Sequence, residues 1–122
     1  MRDGRRALSL AVDYGTALLE RAGRLIMTMV EAAGADPTMR QFADEGARAT
    51  AANLGALARA LAGHGALRPG LDAEQAADIL FVLSSPHVHH LLCHDRGWTA
   101  TRYRDWLLEL LTRELLPSPD AS

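Results

Sequence analysis

The sequence predicts an all-α fold of four to five helices. Three observations lead there. Apolar residues recur three and four positions apart through four long segments, while no stretch keeps the strict alternation of a half-buried strand. Helix-starting and helix-stopping residues stand where those segments meet: Asp36 before Pro37, Gly63 and Gly65, Asp72 three residues before Gln75, and Thr99 after Gly97. The 122 residues, 48% hydrophobic and 23% charged, are enough for one domain with a real core and too ordinary for disorder or a fibrous repeat.

In the first segment Leu8, Ala11, Val12, Gly15, Leu18, Leu19, Ala22, Leu25, Ile26 and Met29 form one apolar stripe, and Gly34 with Asp36-Pro37 ends it. Asp36 is placed to cap the second helix, with Pro37 at the first helical position, where a missing N–H costs nothing. Met39, Phe42, Ala43, Gly46, Thr50, Asn53, Leu54, Leu57 and Leu61 mark its inward face. The small and polar residues in the middle of that face fit either close helix packing or a cavity.

The stretch "GHGALRPGL", residues 63–71, reads as a loop. Asp72 and Gln75 then form a capping box with Leu71 as its outer hydrophobic residue, so a third helix starts near residue 73. Pro86 falls inside it and predicts a kink near Ser84 and Ser85, and Gly97 stops it. Thr99 caps the last helix, which runs to about Leu116 before Pro117; residues 117–122 read as a disordered tail to a single domain spanning 1–122.

Charge and cysteine content narrow the function. A net charge of −2 with arginines and acids interspersed gives no basic face for phosphate, so the chain is expected not to bind DNA by itself. The single cysteine, Cys93, cannot form an intrachain disulfide, which makes the cytoplasm the expected compartment. No window approaches the roughly 18 apolar residues of a membrane span. The motifs of phosphate-cradling loops, serine hydrolases and zinc peptidases are missing, and the expectation is that the chain is not an enzyme and carries no cofactor.

The second half asks for a partner. From Ala76 to Leu83 only Asp78 is charged, and the last helix carries a broad stripe of Tyr103, Trp106, Leu107, Leu110, Leu111 and Leu115, widened by Leu108 and Leu116. A helix pair that meets its own copy across a two-fold axis would cover both surfaces.

Residues 67–117, "LRPGLDAEQAADILFVLSSPHVHHLLCHDRGWTATRYRDWLLELLTRELLP", resemble the C-terminal end of TetR-family transcriptional regulators. The elements that carry the likeness are L-R-P-G-L, A-A-D-x-L, S-P-x-V followed by L-L, R-G-W-T and Y-x-x-W-L. The first half resembles that family's effector domain more weakly. The resemblance implies a helical domain that binds a small apolar effector and forms a homodimer, its last two long helices making a four-helix bundle with the partner. It departs from the family in offering no room for a helix-turn-helix before Arg5. Residues 73–94 and 100–116 are thus expected at the dimer interface, with Leu80, Leu83, Leu91, Trp106, Leu107, Leu110 and Leu111 supplying most of the apolar contact. Candidate effector contacts are Tyr14, Met27, Met29, Met39, Phe42, Asn53 and Phe81, pliable or polar groups on otherwise buried stripes.

Four of the five histidines and the cysteine fall within "SSPHVHHLLCHDRGW", residues 84–98. On a regular helix His90, Cys93 and His94 would share a face, with His87 one turn earlier, a set that zinc or copper could use. Three neighbouring ligands on one helix rarely close a tetrahedron without a second segment. The plainer expectation therefore turns Val88, Leu91, Leu92 and Cys93 inward and leaves the histidines in solvent or at an interface rim with no metal, where they could sense pH. Cys93 and His94, adjacent on a helix, point too far apart to act as nucleophile and base.

Overall fold

The computed structural model describes residues 2–118, with the side chain of Arg2 left aside. Among the described residues every regular element is helical. The order is α1 (Arg2–Ala32), α2 (Pro37–Gly63), α3 (Ala73–Leu83), α4 (Pro86–His89) continuing as a π-turn (His90–Asp95), and α5 (Ala100–Leu115). Helix α1 packs on α2, α4 and α5, α2 packs on α3, and α3 packs on α5. The expected tail falls mostly on residues 119–122, outside the described range.

The helix starts follow from their capping residues. Asp36 Oδ1 accepts from the Thr38 and Met39 amides at 2.9 and 3.3 Å, with Pro37 opening α2. Asp72 and Gln75 close a reciprocal capping box, Oδ1 accepting from the Gln75 amide at 2.8 Å and Gln75 Oε1 from the Asp72 amide at 3.0 Å. Thr99 Oγ1 accepts from the Arg102 amide at 3.1 Å to start α5. The far end of α5 is closed by a distant residue: Arg68 donates its amide to the Leu115 carbonyl at 2.8 Å and Nε to the Glu114 carbonyl at 2.7 Å. The 64–72 loop thereby satisfies carbonyls that a helix end leaves without partners.

The core is one cluster, in which Leu8 and Val12 of α1 meet Ala58 and Leu61 of α2, Ala76 and Leu80 of α3, and Tyr103, Leu107, Leu108, Leu111 and Leu115 of α5. Each fully buried leucine contributes about 1.5–3 kcal/mol relative to an exposed one. Gly4 lets the first turn of α1 approach closely: a Cβ there would lie 3.2 Å from Ala66 Cβ and 3.3 Å from Leu116 Cδ2. Arg104 ties α5 to α1 on the surface through Asp13 and Ser9.

Three sequence expectations change. The third helix does not merely kink at Pro86 but breaks: α3 ends at Leu83, Ser84 closes it, and Ser85 Oγ caps α4 by accepting from the Val88 amide at 3.3 Å. The inward face of α1 reads Leu8, Val12, Thr16, Leu19, Gly23 and Met27, a stripe turned away from Leu18 and Leu25, which are exposed. The inward face of α2 begins only at Leu54. Phe42, Gly46, Thr50 and Asn53 are exposed, because α3 packs on the other end of the helix and no described residue covers these four.

Candidate functional site

The break at Pro86 restarts the chain as a short helix aimed at α1, and the π-turn that follows widens the spacing between successive side chains. Gly97, at φ +73°, then reverses the backbone so that the Trp98 amide donates to the Leu92 carbonyl at 2.9 Å. The imidazole-rich segment divides into two i, i+4 pairs on adjacent sides of this turn, His89 with Cys93 and His90 with His94.

The inward group is centred on His89. Its ring is buried, meets Tyr103 edge-on with centroids 4.9 Å apart, and places Nε2 2.7 Å from Oε2 of Glu20 on α1, where the ring N–H donates to the carboxylate. Gly23, one turn beyond Glu20, lies beside the ring: a Cβ there would stand in ordinary van der Waals contact, 3.6 Å from His89 Nδ1. Cys93 completes the cluster, the ligand atoms of Glu20, His89 and Cys93 all lying within 4.8 Å of one another. Burial, then the Glu20 carboxylate, push the Cys93 thiol above its ordinary 9.0. Burial and the neighbouring Cys93 push the Tyr103 phenol to about 12. At neutral pH the junction of α1, α4 and α5 therefore holds a protonated thiol and phenol beside Glu20 and His89. A thiol held protonated is a poor nucleophile. One turn before Glu20, the buried Thr16 hydroxyl has no hydrogen-bond partner.

The outward group is His90, His94 and Asp95. The two imidazoles stack at 4.5 Å with planes 10° apart, and His94 Nδ1 lies 2.8 Å from Asp95 Oδ1 while His90 Nε2 stands 3.9 Å from it. The hydrogen bond from His94, aided by the charges of both histidines, holds the Asp95 carboxyl below its ordinary value.

The single face expected of His87, His90, Cys93 and His94 is thus divided. Cys93 joins His89, His90 and His94 join Asp95, and His87 and His64 stand in solvent outside both sets. The expectation that imidazole faces solvent while Leu91 turns inward is corrected at two positions: His89 is buried and Leu91 is 56% exposed. Glu20 and His89 were not singled out as site residues by the sequence, and Tyr103 only as part of the apolar stripe of the last helix, since their meeting depends on how α4 docks on α1.

A second feature is an open apolar groove between α3 and α5, walled by Ile79, Val82, Leu83 and Leu110, with Asp78 and Glu114 at its edge. Trp98 and Trp106 meet edge to face at 5.8 Å near the start of α5, and Arg102 lies over the Trp98 ring at 4.2 Å. Of the residues expected at a dimer interface, Leu80, Leu107 and Leu111 lie in the chain's own core, so they have almost no surface left to offer a copy. Leu83, Leu91, Trp106 and Leu110 keep exposed surface.

The expected effector contacts do not converge. Tyr14 is 72% and Phe42 54% exposed, on the outer sides of α1 and α2; Asn53 is exposed, Phe81 is partly so, and Met27 is buried with Met29 and Met39 half-buried near the α1–α2 hairpin end. The exposed members of the set thus stand on three different helices.

Fold and site together define a small helical domain with a polar junction inside and an apolar groove outside. Compared with protein-family models, with curated proteins and with solved structures, the chain matches none of them.

Proposed function

We propose that the chain is the dimerisation and effector-binding module of a TetR-like transcriptional regulator, and that it pairs with its own copy through the α3–α5 groove. The observation that carries this reading is the groove itself: its lining is mostly aliphatic, with Asp78 and Glu114 beside the apolar residues, and an apolar centre is what an interface between copies buries. The groove wall is open to solvent, Val82 being 61% exposed. This is the stretch, residues 67–117, whose motifs resemble the regulator family. Effector binding rests on that resemblance alone, the effector being a small apolar molecule.

Leu110 tests the reading, because it faces the groove while Leu107 and Leu111 on the same helix hold the core. A Leu110→Glu variant should be a folded monomer, since a carboxylate in an apolar interface finds no partner. The wild-type chain should sediment as a dimer at tens of micromolar. A monomeric wild type, or a variant that stays dimeric, would place any interface elsewhere. Trp106 lies one turn before Leu110, so tryptophan emission should shift on dissociation.

A further inference from the structure

The inward cluster has donors from two separate parts of the chain, and this distinguishes it from the outward one. Glu20 comes from the middle of α1, while His89 and Cys93 come from α4 and the π-turn, 69 residues on from Glu20 in the case of His89. The outward set of His90, His94 and Asp95 comes from a single turn and is largely in solvent. A tetrahedral ion is better served by ligands converging from different elements than by neighbours on one turn.

We propose that Glu20, His89 and Cys93 form a three-ligand site for a zinc ion. The donors are one imidazole nitrogen, one carboxylate oxygen and one sulfur, a mixed set of the kind zinc accepts at about 2.0–2.3 Å. A spread within 4.8 Å needs only side-chain rotations to close on an ion, and Glu20, exposed at the surface, has the freedom to make them. A water would complete the four ligands. The His89 ring is already packed edge-on against Tyr103. Held orientation of a ligating imidazole is what gives such sites much of their affinity.

Binding would replace two features of the metal-free site. The hydrogen bond between His89 Nε2 and Glu20 Oε2 gives way, with the nitrogen lone pair turned to the ion and the ring proton carried on Nδ1. The Cys93 thiol becomes a thiolate by losing its proton to solvent, so one proton leaves for each ion bound when His89 starts neutral. Zinc would also pin α4 and the π-turn to α1 across the break at Pro86. The ligand set shares no residue with the α3–α5 groove, so zinc binding and dimerisation are read by different variants.

The experiment uses the whole chain carrying no affinity tag, stripped of metal and then titrated with Zn2+ by calorimetry and with Co2+ by absorption. The expected result is one ion per chain, release of about one proton per zinc, and a near-ultraviolet thiolate-to-cobalt charge-transfer band. Cys93→Ser should abolish the band and weaken zinc binding by at least about tenfold, with the helical circular dichroism unchanged. A His90→Ala/His94→Ala double variant should keep both the band and the affinity. Cys93 is only half-buried and serine is nearly its shape, so this variant keeps the test open even if His89→Gln fails to fold. Absence of stoichiometric zinc, binding without the thiolate band, or binding that survives Cys93→Ser but is lost in the double variant would each overturn the proposal.

Discussion

The two parts of α2 lean on different things. Residues 54–63 put Gly55, Ala58 and Leu61 into the core against α3, whereas residues 37–53 stand in solvent on nearly every side, with only Met39 and Ala43 half-covered. The first part is helical for local reasons: the Asp36 cap, alanine-rich composition, a Gln41–Glu45 contact at 3.1 Å, and one tie to α1, Arg40 Nε donating to the Ala33 carbonyl at 3.2 Å. The second part would hold its shape even with poorer propensity, because tertiary packing holds it. The molecule is therefore a packed body with an arm, the arm being the end of α1 and the start of α2. Local opening should be far easier in the arm.

The sharpest way to break that comparison is to truncate one large side chain in each region. Leu111 is 1% exposed at the centre of the body, so Leu111→Ala should lower the unfolding free energy by about 2–5 kcal/mol. Phe42, on the arm, should tolerate alanine with a loss of less than about 1 kcal/mol, as exposed positions do. Urea denaturation of both variants checks this. Equal losses would mean that the arm is packed against something in solution.

The same contrast explains what the sequence could and could not tell. Caps are short-range and carry their chemistry in the residue type, so Asp36, the Asp72–Gln75 box and Thr99 were legible, and so was the last helix, whose stripe of Tyr103, Leu107, Leu111 and Leu115 is as buried as its period predicts. The α2 stripe misled because period reports a face and not what lies opposite it. Met39, Phe42, Thr50 and Asn53 keep helical spacing, yet no other element reaches most of them. On α1 the polar Thr16 lies on the inward side, and an apolar count placed that side too far round the helix. The candidate site was hidden for a different reason. Its pairing of Glu20 with His89 is long-range, and which of the two neighbouring i, i+4 pairs, His89 with Cys93 or His90 with His94, turns inward depends on how α4 docks on α1.

A second test stays within the body and concerns pH. The Tyr103 phenol is raised from 10.0 to about 12, mainly by burial. The folded state therefore favours the protonated phenol more than the unfolded chain does. Its stabilisation is fully present below pH 10 and is lost as pH climbs from 10 through 12, by on the order of 2 kcal/mol. Tyr103→Phe keeps the ring that meets His89 and removes the proton, so the stability difference between wild type and variant should change over that window and stay level below it. A difference that is flat across the whole range would show that the phenol is solvated in the folded chain.

The smallest effect gives the finest view of the boundary between body and arm. Asp36→Ala and Asp72→Ala each remove a side-chain acceptor from a helix start, a loss worth about 1 kcal/mol wherever the helix must form for the protein to fold. The two should nevertheless read differently. Asp72 begins α3, whose Ala76 and Leu80 lie in the core, so its loss should shift the global urea midpoint. Asp36 begins the part of α2 that is almost free of tertiary contact. If residues 37–53 open and close while the body stays folded, the cap stabilises only that local equilibrium, and global unfolding starts from a state in which the arm is already partly open. Asp36→Ala should then leave the urea midpoint within about 0.5 kcal/mol of wild type, while amide hydrogen exchange over residues 40–53 speeds up several-fold and over 103–115 does not change. If both variants shift the midpoint equally, arm and body unfold together, and α2 is a single cooperative helix despite the uneven cover along it.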